Sequence, residues 1–346
     1  MPELPLPGDT LGTMHYIRNA ENHDVTVNLA LETYLVRNRL VDGPLLLFYI
    51  NDPCVIVGRN QNTIEEINRE YVEENGVQVV RRLSGGGAVY QDGGNLCYCF
   101  IKDDDGSFRD FASFTEPVVS ALQRMGAAEA ALRGRNDLVI GDQKISGNAM
   151  YVAGGRMTAH GTLLYDVNLD HVAAALKPPK EKIESKGIKS VRARVTNIRP
   201  HLAPEFQGMT TGEFRDEILR QLAQQSGEEP TEYQLTGHDW QEIERIRQEY
   251  FLNWDWNFGR SPDFSLERRH KFASGLIDVR MNVEKKHIQD IRIYGDFFAL
   301  DDVADLERAL TGVPYRPEDI AAALEPFDLS RYFGAVEREE FVRLII

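Results

Sequence analysis

Apolar residues recur at helical spacing in several stretches of the chain. Val27, Leu31 and Leu35 share one face of the first predicted helix, over 24–40, and Asp24 is its expected N-cap. The same spacing predicts further helices, at 63–75, about 115–125, 211–226, 237–251, about 302–311 and 317–325. Thr63 with Glu66 forms a capping-box pattern, and Thr115 is the expected cap of the following helix.

Runs of apolar residues between these helices predict strands. Leu96–Ile101 is apolar on both faces and should be a buried strand. The other predicted strands are Leu45–Ile50, Cys54–Val57, Val77–Leu83, Ala88–Tyr90, Leu138–Ile140, Ile145–Val152, Met157–Val167, Ser274–Val283 and Ile288–Tyr294. Hairpin turns in the middle region favour an α+β fold, with mixed or antiparallel sheets packed with helices, over a doubly wound parallel sheet.

The pattern is interrupted at 253–262, where aromatic residues, Gly259 and Pro262 follow one another. A chain of 346 residues suggests two domains, at roughly 100–200 residues each. We therefore predict a large domain at 1–255 and a small α+β C-terminal domain at 256–346.

Charge and composition exclude several classes of protein. The chain has 39 Lys and Arg against 54 Asp and Glu, a net charge of −15, which argues against nucleic-acid or anionic-membrane binding. Leu45–Ile50 is its longest plain apolar run, far short of the ~20 residues of a membrane span. No signal-peptide pattern is visible, so we expect a cytoplasmic protein with Cys54, Cys97 and Cys99 as buried thiols.

The most informative segment is Arg81–Tyr90, which reads RRLSGGGAVY. Consecutive glycines let a ligand approach the backbone, and their N–H groups can form an anion-binding nest. Adjacent arginines add a fork suited to phosphate or carboxylate. The alternative is a glycine-rich hairpin turn with solvated arginines. The segment is neither of the common nucleotide-binding glycine motifs.

Three further segments carry polar residues among apolar strands. They are GRNDL at 134–138 followed by GDQKISGNA at 141–149, HGTLL at 160–164, and KGIKSVRARVTN at 186–197. Taken alone, Lys144 would be interpreted as a surface lysine. Gly161 would be interpreted as a simple bulge, or as a point where a ligand or another backbone comes close.

Together these segments, in this order and spacing, resemble the lipoate–protein ligases of the biotin/lipoate protein ligase superfamily. The likeness extends from about residue 25 to near the end of the chain, and Trp256–Gly259 resembles the family's link to its accessory C-terminal domain. The resemblance implies activation of lipoate by ATP with Mg²⁺, giving lipoyl-AMP and pyrophosphate. It also implies transfer of the lipoyl group to a lysine of glycine cleavage H protein or of the E2 subunits of 2-oxoacid dehydrogenases.

The resemblance also assigns roles to individual residues. Lys144 becomes the essential catalytic lysine, which contacts the activated carboxylate and the α-phosphate. The implied ATP and lipoyl-adenylate residues are Arg82, Ser84, Gly86, Gly87, Ala88, Val89, Tyr90, Asn136, Asp137 and Lys144. The implied lipoate contacts are Ser84, Lys144, His160, Gly161 and Thr162. No metal ligand is assigned beyond the Mg²⁺ that accompanies ATP.

Other functions stay open at this stage. A lipoyl or octanoyl amidotransferase of the same superfamily uses a cysteine thioester and no ATP, but Cys97 and Cys99 lie in an apolar strand. A biotin ligase expects a G-R-G-R-x-G-R loop, which Arg81–Gly87 does not match. A non-catalytic lipoate-binding regulator is disfavoured because both Arg82 and Lys144 are present.

One stretch reverses the acidic balance of the chain. From Lys177 to Arg199 it carries eight Lys and Arg and two Glu, a net of +6. We expect this basic strip to hold ATP phosphates or the acidic surface of an acceptor domain; the alternative is a solvated loop.

Overall fold

The computed structural model describes residues 14–176, 194–227, 229–259 and 264–346. Its strands are β1 (His15–Arg18), β2 (Leu45–Tyr49), β3 (Cys54–Val57), β4 (Gln78–Arg81), β5 (Val89–Gln91), β6 (Asn95–Asp103), β7 (Ala130–Arg133), β8 (Asp137–Ile140), β9 (Gln143–Ala153), β10 (Arg156–Leu164), β11 (Thr231–Tyr233), β12 (Leu266–Phe272), β13 (Gly275–Glu284) and β14 (His287–Gly295). Its helices are α1 (Val25–Arg37), α2 (Thr63–Glu66), α3 (Arg69–Glu74), α4 (Phe111–Arg124), α5 (Leu169–Ala175), α6 (Thr211–Ser226), α7 (Gly237–Ile246), α8 (Trp254–Asn257), α9 (Ala304–Leu310), α10 (Pro317–Leu324), α11 (Leu329–Phe333) and α12 (Arg338–Ile345).

Within these ranges the strands form three sheets. Eight strands make the largest, in the order β11-β1-β2-β6-β10-β9-β8-β7. β1 runs parallel to both of its neighbours, whereas the pairs from β2 to β7 are antiparallel. A small sheet, β4-β3-β5, lies beside it, and β12-β13-β14 forms the C-terminal sheet. The predicted α+β fold with mixed and antiparallel sheets is confirmed.

The central strand β6 shows how the sheet separates two cores. Cys97 and Cys99 pack with helix α1 on one face, whereas Leu96 and Tyr98 pack with α4 and α6 on the other. This alternation follows from the two-residue period of a strand. Burial of β6 on both faces is confirmed, and all three cysteines are free and buried, as expected.

The first predicted helix is also confirmed. The Asp24 carboxylate accepts a hydrogen bond from the backbone N–H of Thr26, so the predicted N-cap is present. None of the helices in the described ranges is long and apolar enough to cross a membrane.

The helix predicted at 63–75 is wrong in its middle. It is interrupted at Ile67, whose backbone is extended and pairs with Leu176. Asn68 is drawn to the same segment, because its N–H donates to the carbonyl of Ala175. The Thr63 hydroxyl donates to the carbonyl of Asn257 and caps nothing. Tertiary contacts have therefore overridden the helical spacing.

The predicted start of the next helix is also wrong. Helix α4 begins one turn earlier, at Phe111, and Asp110 caps it by accepting from the N–H of Ser113. Thr115 lies inside the helix and donates back to the carbonyl of Phe111. Pro117 is therefore inside α4 rather than in its first turn.

Several short or polar strands were not predicted from the sequence. The clearest is β12, an edge strand of the C-terminal sheet that reads LERRHKF. Its charges hide any alternation, and its place is set by pairing with β13 along its whole length. Such a strand depends on its partner rather than on its own propensity.

Candidate functional site

One cleft opens where the large sheet, the small sheet and helix α1 meet. It encloses about 590 Å³ including its open mouth, a volume typical of small-molecule sites. The predicted site residues that line it are Arg82, Gly86, Gly87, Ala88, Val89, Asn136, Lys144, His160, Gly161 and Thr162. The structure therefore brings three of the four motifs together around a single space.

Arg82 lies at the start of the glycine loop and is only 7% exposed. Its Nη2 donates to the carbonyls of Gly85 (2.6 Å) and Gly87 (2.9 Å), and its Nε donates to Ser84 Oγ (3.0 Å). Gly86 has a φ of +92° and its Cα faces the guanidinium so closely that an added Cβ would lie 2.8 Å from Nη2. Burial lowers the pKa of Arg82 to about 10, so the group stays charged at neutral pH.

The neighbouring arginine has a different task. Arg81 is fully buried and points away from the cleft. It donates to the carbonyl of Gln61 (2.6 Å), to the Thr63 hydroxyl (2.6 Å) and to the carbonyl of Trp256 (2.8 Å). The two arginines of the motif thus divide between the cleft and the anchoring of α8.

Lys144 reaches the cleft from β9. Its Nζ lies 2.8 Å from Asp137 Oδ1, and both side chains are about two-fifths exposed (37% and 40%). Gly147 lies beneath the ammonium group, since an added Cβ would be 3.0 Å from Nζ. The backbone of Lys144 is held by the last residues of the fourth motif: its N–H donates to the carbonyl of Arg194, and its carbonyl accepts from Thr196.

Asn136 fixes the loop that carries Asp137. Its Nδ2 donates to the carbonyl of Asn148 (2.5 Å), and its own carbonyl accepts from the N–H of Asn148 (3.0 Å). This reciprocal pair joins β8 to β9 at the cleft. Gly161 faces Asn148 and Tyr98, because an added Cβ would clash with Asn148 Oδ1 and lie 2.7 Å from Tyr98 Oη. The close approach expected at Gly161 is therefore to side chains of the sheet.

His160 links the glycine loop to helix α1. Its Nε2 lies 2.7 Å from Ser84 Oγ, and its Nδ1 lies 2.5 Å from Glu32 Oε1. Glu32, which is 2% exposed, is not among the site residues predicted from the sequence. The sequence does contain one indication of its burial: on α1, Glu32 is three or four residues from Leu29, Leu35 and Val36 and so shares a helix face with them.

Three implied adenylate residues, Ser84, Tyr90 and Asp137, do not line the cleft. Ser84 is fully buried behind Arg82 and His160, and Tyr90 packs in the small-sheet core with its Oη 3.3 Å from His171 Nδ1. Asp137 contributes through its pair with Lys144. For Ser84 and Tyr90, direct ligand contact thus remains a sequence-based prediction, and their side chains have structural partners.

The C-terminal part of the chain packs against two of the site motifs. Arg135 donates to the carbonyls of Ser274 and Asp296, and its guanidinium lies 4.7 Å from the centre of the Phe298 ring. The carbonyl of Phe297 abuts Gly85, which leaves no room for a side chain there. The glycine loop and the GRNDL motif are therefore both held by the segment that follows β14.

Part of the cleft lining is apolar. It is formed by Leu29, Tyr49, Ile56 and Cys97. Burial raises the pKa of the Cys97 thiol far above its usual value, with the charge of Glu32 adding to the shift. Burial likewise raises the pKa of Cys54 and Cys99. A thiol held in its neutral form is a poor nucleophile, which disfavours the cysteine-dependent amidotransferase.

Some candidate features lie beyond this geometry. The basic strip falls mainly on 177–193, outside the described residues, so its role stays a prediction. Among the residues that the structure does describe, no group of three or more His, Cys, Asp or Glu could hold a metal ion.

Comparison with known families places the chain. Residues 24–223 match the model of the lipoyl protein ligase A/B catalytic domain, and residues 261–345 match that of the bacterial lipoate protein ligase C-terminus. The chain belongs to the lipoate–protein ligase family. It is 50% identical to lipoate-protein ligase LplJ of Bacillus subtilis (strain 168) over 335 residues, which cover 96% of this chain and 100% of that protein. It is 46% identical to lipoate–protein ligase 1 of Staphylococcus aureus (strain Mu50), again over 96% of this chain and all of the relative.

Solved structures of lipoate ligases have the same fold. P. falciparum LipL1 in complex with lipoate matches with a TM-score of 0.73 at 25% identity, over 92% of this chain and 95% of that one. A lipoate-protein ligase A bound with ATP matches with a TM-score of 0.58 at 25% identity, over 72% of this chain and 99% of the other. In the lipoate–protein ligase described here, the family motifs converge on the cleft that holds Arg82 and Lys144.

Proposed function

We propose that this lipoate–protein ligase activates lipoate with ATP and transfers the lipoyl group to a lysine ε-amine of an acceptor protein. The observation that carries the proposal is the pair of cationic side chains, Arg82 and Lys144, that line one cleft together with Gly86 and Gly87 of the glycine loop. The apolar lining formed by Leu29, Ile56 and Cys97 suits the hydrocarbon chain of lipoate.

The first step joins two anions. A lipoate carboxylate oxygen attacks the α-phosphorus of ATP, a P–O bond forms, and pyrophosphate leaves. Fixed cations are needed because charge accumulates where the carboxylate meets the α-phosphate. Lys144 is the proposed catalytic residue for this step, and Arg82 and the loop backbone bind the product adenylate. Bound Mg²⁺ would neutralise charge on the ATP phosphates, and Asp137 supplies the oxygen ligand type that Mg²⁺ prefers.

The second step is acyl transfer. The acceptor amine attacks the lipoyl carbonyl, the C–N bond forms, AMP leaves, and the amine loses a proton. The mixed anhydride is already activated, so the contribution of the enzyme is to position the amine. We propose as acceptors glycine cleavage H protein and the E2 subunits of 2-oxoacid dehydrogenases. In support, one structural relative, an archaeal bipartite lipoate protein ligase, was studied with its E2 lipoyl domain.

Domain organisation and location complete the proposal. We place a catalytic domain at 1–255 and an accessory domain at 256–346, consistent with the separate C-terminal sheet and with a family match that begins at 261. We propose a cytoplasmic location, because three buried free thiols suit a reducing compartment.

Isotope exchange tests the adenylation step. The protein is incubated with ATP, Mg²⁺ and labelled pyrophosphate, with and without lipoate. We expect label to enter ATP only when lipoate is present. Absence of lipoate-dependent exchange would contradict the proposed function.

A further inference from the structure

Glu32 is a buried carboxylate that none of the family motifs contains. It lies on α1 and is 2% exposed, among apolar residues of the sheet core. Burial of a charge is costly unless its oxygens are paired. Here both are used: Oε1 lies 2.5 Å from His160 Nδ1, and Oε2 accepts from the Tyr49 hydroxyl at 3.2 Å.

With Glu32 ionised, the hydrogen bonds to it have a defined direction. An ionised carboxylate only accepts, so His160 Nδ1 carries the proton and donates it to Glu32. His160 Nε2 is then an acceptor for the Ser84 hydroxyl, and Ser84 Oγ accepts from Nε of Arg82. The alternative, an imidazolium, would make Ser84 Oγ accept from both neighbours and leave its own hydrogen unused.

We propose that Glu32 is a positioning residue, a role that rests on the adenylation step proposed above. Glu32 holds the Arg82 guanidinium in place through His160 and Ser84, and it supplies the countercharge of that guanidinium. This series of hydrogen bonds therefore connects a buried anion, Glu32, to a buried cation, Arg82, through two neutral side chains. Such a network can be worth more than the sum of its pairwise bonds.

The electrostatics of Arg82 require such a partner. Among the described residues Arg82 forms no direct ion pair; its bonds go to Ser84 and to the carbonyls of Ile56, Gly85 and Gly87. Burial lowers the pKa of Arg82, and the charge of Glu32 opposes this shift. Removing the charge of Glu32 should therefore let Arg82 lose its proton at a lower pH.

Geometry excludes two other roles, that of a nucleophile for Ser84 and that of a base for His160. Ser84 resembles a nucleophile beside a histidine, but its side chain is fully buried and its oxygen already accepts from Arg82. His160 borders the cleft, yet both ring nitrogens are engaged, so it has no free nitrogen to act as the base for the acceptor amine.

The substitution Glu32→Gln tests the proposal with little change in shape. A glutamine oxygen can still accept from His160, but the charge is gone. We expect kcat for lipoate-dependent exchange to fall by about 10–100-fold, with KM for ATP within about threefold, because misplacing a charged group acts mainly on the transition state. The alkaline limb of the pH–rate profile should move to lower pH.

Glu307→Gln is the matched control. Glu307 is also buried (4% exposed) but lies in the C-terminal core, where it accepts from the N–H of Ile293. The control should leave both kcat and the alkaline limb unchanged. If Glu32→Gln does not fold, the Ser84→Ala variant is measured instead. It breaks the same series of hydrogen bonds at the residue next to Arg82, so it should shift the alkaline limb of the pH–rate profile in the same direction.

A double-mutant cycle separates positioning from a structural role. If Glu32 acts through Ser84, the combined Glu32→Gln and Ser84→Ala variant should be no slower than the slower single variant. Three results would each overturn the positioning role of Glu32: additive losses, an unshifted alkaline limb, or exchange in Glu32→Gln within about twofold of the wild type. In each case lipoate-dependent exchange by the wild type would still support the proposed function. A wild-type protein without lipoate-dependent exchange would overturn both.

Discussion

Lys144 Nζ lies 2.8 Å from Asp137 Oδ1 at the mouth of the cleft. An ion pair this exposed contributes little to stability, about 0–1 kcal/mol. The lysine can therefore exchange its carboxylate partner for an anionic substrate at small cost. The pair holds the ammonium group in the cleft before any ligand binds.

Replacement of Lys144 by alanine should abolish adenylation without unfolding the protein. Removing one fixed charge donor from such a site costs about 10²–10³ in rate. We expect lipoate-dependent exchange in Lys144→Ala to fall by at least that factor, with an unchanged urea midpoint. Lys102→Ala is the control, since Lys102 also pairs with a carboxylate, Asp105 at 2.8 Å, away from the cleft. Full exchange in Lys144→Ala would remove the catalytic role assigned to this residue.

Gly147→Ala should separate activity from stability. The added methyl group would meet Lys144 Nζ at 3.0 Å, and the flexible lysine can move away. We expect stability to change by less than about 0.5 kcal/mol, whereas exchange falls about tenfold because the ammonium group is displaced. Gly208→Ala is the control, because an added Cβ there meets nothing within 4 Å. Equal exchange in the two variants would show that the position of Nζ is not critical.

Arg82→Lys should weaken retention of lipoyl-AMP. A lysine cannot reproduce the fork that reaches Ser84, Gly85 and Gly87, so buried carbonyls lose their donor at about 1–3 kcal/mol each. Arg124→Lys is a matched control, because Arg124 makes a similar two-point contact with Gln221 far from the glycine loop. Both variants should lose stability in urea, but calorimetry should show weaker adenylate binding in Arg82→Lys alone. Unchanged affinity there would contradict the role of Arg82.

Glu66 should make stability fall as the pH rises. Burial, with the charges of Glu65 and Asp296, raises its pKa from 4.5 to about 7. Between these values the unfolded chain has already lost the proton that the folded protein keeps. Stability contributed by this group is therefore full below pH 4.5 and decreases until about pH 7, by on the order of 3 kcal/mol.

The Glu66→Gln variant removes that titration. Its stability, measured by urea unfolding between pH 4.5 and 7, should decline less than that of the wild type. The exposed Glu70→Gln variant serves as the control and should follow the wild-type curve. Parallel curves for Glu66→Gln and the wild type would refute the assignment.

The sequence was most informative where local chemistry and tertiary structure agree. Asp24 caps α1 because an aspartate before an amphipathic run has a local partner, the N–H of Thr26. Local signals were misleading where a distant segment competes for the same group: the Thr63 hydroxyl is taken by Asn257. The edge strand β12 escaped notice because its pairing with β13, rather than its side chains, defines it.

The candidate site shows the same division. Motif resemblance located Arg82 and Lys144, and the structure places both on the cleft. The resemblance selected Arg82 rather than Arg81, whereas the residues alone could not, since opposite orientations of adjacent residues depend on what surrounds each strand. Glu32 was missed because its partner, His160, is 128 positions away in the chain.

The mass of the acceptor protein tests ATP-dependent lipoyl transfer most directly. The protein is incubated with lipoate, Mg²⁺ and a purified lipoyl-acceptor domain, with and without ATP, and the intact mass of the acceptor is measured. We expect a gain equal to one lipoyl group when ATP is present and none when it is omitted. An acceptor that is modified without ATP, or that stays unmodified with it, would contradict ATP-dependent lipoyl transfer.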